Sequence, residues 1–362
     1  MSTEQLIVAV GVILLVARIF GWLFHRIGQP SVIGEITAGI ILGPSVLGRF
    51  LPSTFNWVFP PASTSSLNSL SQLGLLLFLF TVGLQVDLKH IVKQRATVVL
   101  VSNVSILFPL VLGLGLAKFL YAEYGSSHVP FSSFSLFIGT AMSITAFPVL
   151  ARILQECNLL ETELGALAIS CSAIDDVSAW LLLAILTAMV RSSHGWGHVA
   201  VALFGLAVFI TIMLVVVRRA ANSFAAFYQK SGLNLGLFSA LIFLLLASAL
   251  ATEKLGLHAL FGAFMAGLVV PKNPNLIADA VKKIELLSLV LLLPIFFALT
   301  GLHTRLDLLA SKRAWIFTLV IIAVATLGKI QARFDAMERF RGSGGVDEHA
   351  WIGRTGNTQR RS

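Results

Sequence analysis

The sequence predicts an all-α, polytopic membrane protein. Of 362 residues, 57% are hydrophobic and only 12% are charged, with a mean hydropathy of +0.89. Soluble domains carry about a quarter charged residues, so lipid is the solvent this composition suits. Apolar runs of roughly 18 or more residues, matched to a hydrocarbon core of about 30 Å, recur from the N-terminus to about residue 330. Several runs are broken internally by Gly and Pro, which a plain structural helix avoids.

Taken in order, eleven spans are predicted: 5–24, 31–49, 67–86, 97–120, 132–154, 163–190, 198–217, 235–252, 255–271, 284–302 and 314–330. The first run starts within a few residues of Met1 without a basic leader or a small-residue cleavage site, so it reads as a retained helix. With the N-terminus outside, Arg26, Lys89, Lys93, Arg95, Arg218, Arg219, Lys272, Lys282 and Lys283 all fall on the cytoplasmic side. This loop bias is modest, obeys the positive-inside rule and accounts for the net charge of +9 without nucleic acid. Cys157 and Cys171 are the two cysteines, one in a loop and one in a helix, so neither a disulfide framework nor a metal site is expected.

Two of the interrupted spans stand out. Span two contains Glu35, four glycines and Pro44, and span five contains Ser143, Ile144, Thr145, Ala146, Phe147 and Pro148. A packing kink explains most membrane prolines; Pro/Gly-interrupted helices are also the best pointer to a transporter's binding site. Span six, ELGALAISCSAIDDVSAWLLLAILTAMV, carries Asp175 and Asp176 near its middle. A charge at the bilayer centre costs at least about 2.5–3.5 kcal/mol, so neither acid is expected to face lipid. A helix break capped by the carboxylates would need a nearby Gly or Pro, and Ala173, Val177 and Ala179 supply none. Neighbouring helical positions point about 100° apart, so the two acids can serve different partners. One can alternate between a proton and a cation while the other pairs with a fixed positive charge. Ser172 and Thr145 are candidate neutral oxygen ligands. Lys329, at the end of span eleven, is a candidate fixed charge or an interfacial lysine that snorkels. Asp87, Lys89 and His90 read as loop charges, and His258 as a packing residue.

These residues resemble the monovalent cation:proton antiporter superfamily, in the branch of plant cation/proton exchangers, bacterial potassium efflux systems and related sodium/proton antiporters. The matching segments are GEITAGIILGPSVLG, LGLLLFLFTVGLQVD, SITAFPVLARIL, SAIDDVSAWLLLA, GLHALFGAFMAGLVVPK and LPIFFALTGLHT, in order across residues 1–330. The resemblance implies an inverted-repeat antiporter fold, with a dimerisation domain, a core domain and interrupted helices crossing at mid-membrane. The first of these would be span five, around Ala146, Phe147 and Pro148. About 11 of an expected 13 spans would be present. It further implies that Asp176 binds proton and cation in turn, and that Asp175 pairs with a lysine at the position of Lys329. Such Asp–Asp members are electrogenic. The expected activity is exchange of Na⁺ or K⁺ for H⁺ by alternating access, with no cofactor, no catalytic metal and no enzymatic step. A homodimer in a bacterial inner membrane is expected. Gln85 departs from the family, where Glu is common.

Residues 331–362 are polar, rich in Gly and Arg, and are expected to form a disordered tail. Read one base later, the degenerate codons of Val346–Gln359 permit L-M-N-T-R-G-L-V-E-L-V-I-L-N, which resembles a helix of the family. A frameshift near residue 330 is therefore the expectation, and the gene sequence tests it. A transport-inactive, truncated homologue is the alternative function. An intramembrane aspartyl protease is a remote one, since such enzymes need aspartates on two different helices.

Overall fold

The computed structural model describes residues 3–86, 95–125, 129–190, 197–256, 258–309 and 311–342. Among these residues there is no strand, and every predicted apolar segment forms helix. Among the described residues, nine helical stretches are long and apolar enough to cross a membrane, and Ala259–Val269 is a shorter apolar helix.

The chain begins with α1 (Thr3–Arg26) and α2 (Ser31–Leu42), the latter entered through Pro30 and ended by Gly43-Pro44. Two short helices follow, α3 (Leu47–Phe50) and α4 (Pro52–Val58), then the long α5 (Pro61–Gln85), which starts on a proline where a missing N–H costs nothing. Next come α6 (Arg95–Tyr124), the pair α7 (Phe131–Ser143) and α8 (Phe147–Glu156), and α9 (Glu163–Val190). A π segment, Ile212–Val217, joins α10 (Gly197–Thr211) to α11 (Arg218–Ser231). After α12 (Leu235–Lys254) and α13 (Ala259–Val269), a second π segment, Ser288–Leu292, joins α14 (Pro274–Leu287) to α15 (Leu293–Leu302). Its place has a cause. Pro294 sits in the first turn of α15, and its ring would clash with the carbonyl of Val290, which the widened turn displaces. The last helix is α16 (Lys312–Gly342).

Some boundaries differ from the sequence reading. Span ten was expected from 284, but its helix starts at Pro274 because Leu276, Ala280, Val281 and Ile284 form a buried stripe opposite exposed Lys282 and Lys283. Helix α16 continues past 330 to Gly342, into the segment expected to be a tail; residues 343–362 lie outside the described residues.

Packing divides the helices into two bundles. In the first, α1, α2, α5 and α12–α15 lie against one another; in the second, α6, α7, α9 and α16 do. Glycine contacts set the crossings of the first bundle. A Cβ on Gly39 of α2 would stand 1.9 Å from the Ala298 carbonyl oxygen, and one on Gly301 of α15 would stand 2.1 Å from that of Ile36. The crossing of α5 and α13 repeats the arrangement: a Cβ on Gly83 would stand 2.3 Å from Phe264 O, and one on Gly267 would stand 2.2 Å from Phe80 O. Exchanging the two halves of the chain maps α2–α15 onto α13–α5, as an inverted repeat requires. The core between them is apolar, built on Phe78, Leu79, Phe80, Phe264, Leu293 and Phe297. Large apolar side chains are also exposed on the outer faces, such as Leu15, Trp22, Leu235, Phe243 and Leu319. In water that pattern would be a liability; against acyl chains it is the expected surface.

A mid-membrane site between a broken helix and an aspartate pair

Helix α9 runs unbroken through Asp175 and Asp176. Its 28 residues span about 42 Å, at 1.5 Å per residue, and the pair lies near the middle. The two acids therefore cannot reach an interface by snorkelling, and each is met by partners from other helices. They point apart, as the helical spacing predicts. Asp175 is buried at 2% exposure, and its Oδ2 accepts from Ser105 Oγ of α6 and Thr145 Oγ1, each at 3.4 Å. Both distances are long for a hydroxyl–carboxylate hydrogen bond. Asp176 is half-buried and accepts the backbone N–H of Phe147.

The break in span five creates those partners. Residues Ile144 and Ala146 are extended, and Phe147 begins α8 with Pro148 in its first turn. The proline explains where helix gives way: its ring excludes a helical carbonyl four residues earlier, at Ile144. Two helix ends are thus exposed to one another at mid-membrane. The N-terminus of α8, with its free amides and positive end of the dipole, faces Asp176. At the C-terminus of α7, Lys329 Nζ donates to the Ser143 carbonyl at 2.9 Å, answering the negative end. Lys329 also donates to Thr145 Oγ1. Thr145 is therefore the joint of the site, receiving from Lys329 and donating to Asp175. Gly328 makes this reach possible, since it lets α16 close onto Pro109 and Leu112 of α6.

The structure brings together Asp175, Asp176, Thr145, Phe147 and Lys329. Ala146 lies in the break, exposed, and Pro148 is buried beside it. Ser172 is one turn before Asp176 on the same helix, buried at 2%, and its Oγ has no hydrogen-bond partner among the described residues. Sequence reasoning missed Ser105 and the Ser143 carbonyl: a serine in an apolar helix is ordinary, and a backbone acceptor has no sequence signal. His258 caps α13 by accepting from the Leu260 amide at 3.4 Å, so it serves the helix end and not the site. Asp87, Lys89 and His90 lie outside the described residues. Cys157 is exposed and Cys171 buried, and neither forms a disulfide among the described residues. Among the described residues no group of His, Cys, Asp and Glu could hold a metal ion.

Comparison with known proteins bears on family and fold. The family model described as sodium/hydrogen exchanger, transmembrane, matches residues 11–343. The Na⁺/H⁺ antiporter NhaS4 of Synechocystis is 41% identical over 91% of this chain and 81% of its own length. Cation/H⁺ antiporter 17 of Arabidopsis thaliana is 37% identical, and the K⁺/H⁺ antiporter 1 of Saccharomyces cerevisiae 32%. The match spans 40% of the former and 37% of the latter, against 90% and 88% of this chain. The solved structure of the sodium proton antiporter MjNhaP1 from Methanocaldococcus jannaschii superposes with a TM-score of 0.57 over 93% of this chain and 79% of that one, at 15% identity, which speaks to the fold. This integral membrane protein belongs to the sodium/hydrogen exchanger family of transporters.

Proposed function

We propose that the chain exchanges a monovalent cation, Na⁺ or K⁺, for H⁺ by alternating access, with Asp176 as the carboxylate that carries proton and cation in turn. The observation that supports this most directly is the unbroken α9 presenting two acids, in mid-membrane, to the ends of a broken helix. A carboxylate that only stabilised the fold would be fully buried and fully bonded; Asp176 is half-buried, with one face held by the Phe147 amide. That amide orients the carboxylate, which takes up a proton or an ion in turn. The Thr145 and Ser172 hydroxyls supply the neutral oxygens that hard cations favour. Asp175, Thr145 and Lys329 form the fixed part of the site, balancing charge so that bringing an ion into a low-dielectric region carries a smaller desolvation cost.

Both sodium and potassium appear in the names of the relatives, and the oxygens around Asp176 suit either ion. With an Asp–Asp site we expect net charge to move in each cycle, read as a dependence of rate on membrane potential. We further infer a homodimer in a bacterial inner membrane with the N-terminus outside. The test is proton release from everted vesicles on adding Na⁺ or K⁺. Asp176→Asn should abolish it, and Asp175→Asn should have a milder effect. Undiminished exchange by Asp176→Asn overturns the assignment.

A further inference from the structure

Helix α8 touches the exchange site at one end and the opposite bundle at the other. Its first amide, Phe147 N–H, donates to Asp176. Its last turns carry Arg152, Gln155 and Glu156. Glu156 accepts from the Ser31 amide at 2.9 Å and from the Ser31 hydroxyl, at the first residue of α2. Gln155 donates to Glu285 of α14. Helix α8 packs on α9 in the second bundle, whereas α2 and α14 belong to the first, so these bonds cross the seam between them.

We propose that Gln155 and Glu156 form a clasp on Ser31 and Glu285 that opens once in every transport cycle, making α8 a lever between the exchange site and the first bundle. This rests on the exchange reading above and adds to it residues far from the aspartates.

The contacts on the two sides of the seam differ in kind. Within the first bundle, glycine crossings hold backbones in direct contact, and sliding by even a fraction of a residue would drive carbonyls into side chains. The second bundle has the same device, since a Cβ on Gly113 of α6 would stand 2.6 Å from Gly139 Cα of α7. Contacts of α8 across the seam are of another type. Its apolar side, with Phe147, Ala151 and Leu154, is buried in the core it shares with α2 and α5, and Phe147 meets Phe264 edge-on, ring centroids 5.2 Å apart; such side-chain contacts are non-directional and can slide. The polar contacts are the clasp bonds, and their partners can be satisfied separately. Arg152 Nε lies 3.0 Å from Glu156 Oε1 on the same helix, so Glu156 keeps a counter-charge when Ser31 departs. Ser31 N–H is a helix N-terminal amide with no partner in its own helix, and water can replace the carboxylate there. Space for that water adjoins the clasp: a cleft of about 530 Å³ is lined by Arg18, Arg152, Lys282 and Glu285 with an apolar rim. Glu35 of α2 and Arg18 of α1 are further charged groups near this cluster. The cluster thus holds both signs, and Arg152 acts on both Glu35 and Glu285, so the carboxylates of a parted clasp stay near an opposite charge.

The test joins the two sides. In a Cys157→Ser, Cys171→Ser background, Ser31→Cys and Glu156→Cys are cross-linked with a short bifunctional thiol reagent and exchange is followed in everted vesicles. Cross-linking is expected to lower the initial rate at least tenfold, and a reagent with a cleavable bridge restores it. Cross-linked protein that exchanges at the uncross-linked rate overturns the proposal. The pair Gln155→Cys and Glu285→Cys repeats the test on the other half of the clasp, should the first pair fold poorly. Wild-type protein without exchange would overturn the functional reading instead. The clasp is then judged by the cross-linking rate of the purified protein, expected to change at least threefold on adding Na⁺ or K⁺; equal rates with and without cation count against it.

Discussion

Thr145 is where the chemistry of the site and the geometry of the broken helix meet. Its hydroxyl takes a hydrogen bond from Lys329 and gives one to Asp175, so one side chain relays between a fixed base and a fixed acid. Thr145→Val keeps the shape and removes the relay, taking one acceptor from the half-buried Lys329 ammonium, which keeps the Ser143 carbonyl. Losing a partly buried hydrogen-bond partner of a charged group costs about 1–3 kcal/mol, and exchange should fall about tenfold while Thr145→Ser retains most of it. Initial rates in everted vesicles for the two variants check this; equal rates would mean the hydroxyl is dispensable. The acids themselves were legible because two charges in a long apolar run have no structural excuse. Lys329 was legible only by resemblance, since a lysine at the end of an apolar run is equally a snorkelling one. Ser105 was not legible: serine hydroxyls in apolar helices usually satisfy themselves on their own backbone, and only the packing of α6 on α9 turns this one towards Asp175.

At the scale of helices, the break at 144–146 was foreseeable from Pro148, but the close crossings were not. Gly39, Gly83, Gly267 and Gly301 look like ordinary glycines of apolar helices until their neighbours are known. Lys272 makes the same point. In sequence it is a cytoplasmic loop charge, whereas in the fold its ammonium donates to the carbonyls of Gly83 and Leu84 at 2.8 Å and of Gly267 at 3.3 Å, closing the ends of α5 and α13 together. A tertiary capping role has no local signal. The crossings lead to a paired prediction. Gly301→Ala places a methyl 2.1 Å from the Ile36 carbonyl, and overpacking of that kind costs about 1–3 kcal/mol. Gly115→Ala on α6 meets nothing within 4 Å and replaces a poor helix former, so it should be neutral or stabilise by up to about 1 kcal/mol. Thermal unfolding in detergent compares them; similar melting temperatures would show that the crossing is looser than it looks.

The whole molecule is two stiff bundles and a compliant seam, and that contrast can be read without any transport assay. Amide hydrogen exchange reports local opening, and its rate follows how much buried, well-packed structure must part to expose a given N–H. In the α5–α13 crossing, backbones touch through Gly83 and Gly267, and Phe78, Leu79 and Phe80 are fully buried around them. Opening there means separating the core of the first bundle. Helix α8 is only 10 residues long, starts at an extended break, and is held beyond its own hydrogen bonds by side-chain packing of Phe147, Ala151 and Leu154 and by a polar clasp, with no glycine crossing among the described residues. Short helices are marginal without such support. Amides of 150–156 should therefore exchange at least about 100-fold faster than those of 78–84 and 262–268, a difference of about 2.7 kcal/mol in opening free energy. The measurement belongs in detergent or nanodiscs, with peptides from α1 as an internal standard for a bilayer-facing helix. Equal protection in α8 and in the α5–α13 crossing would mean that the two bundles open as one unit, and a rocking motion of one against the other would then lack its compliant element.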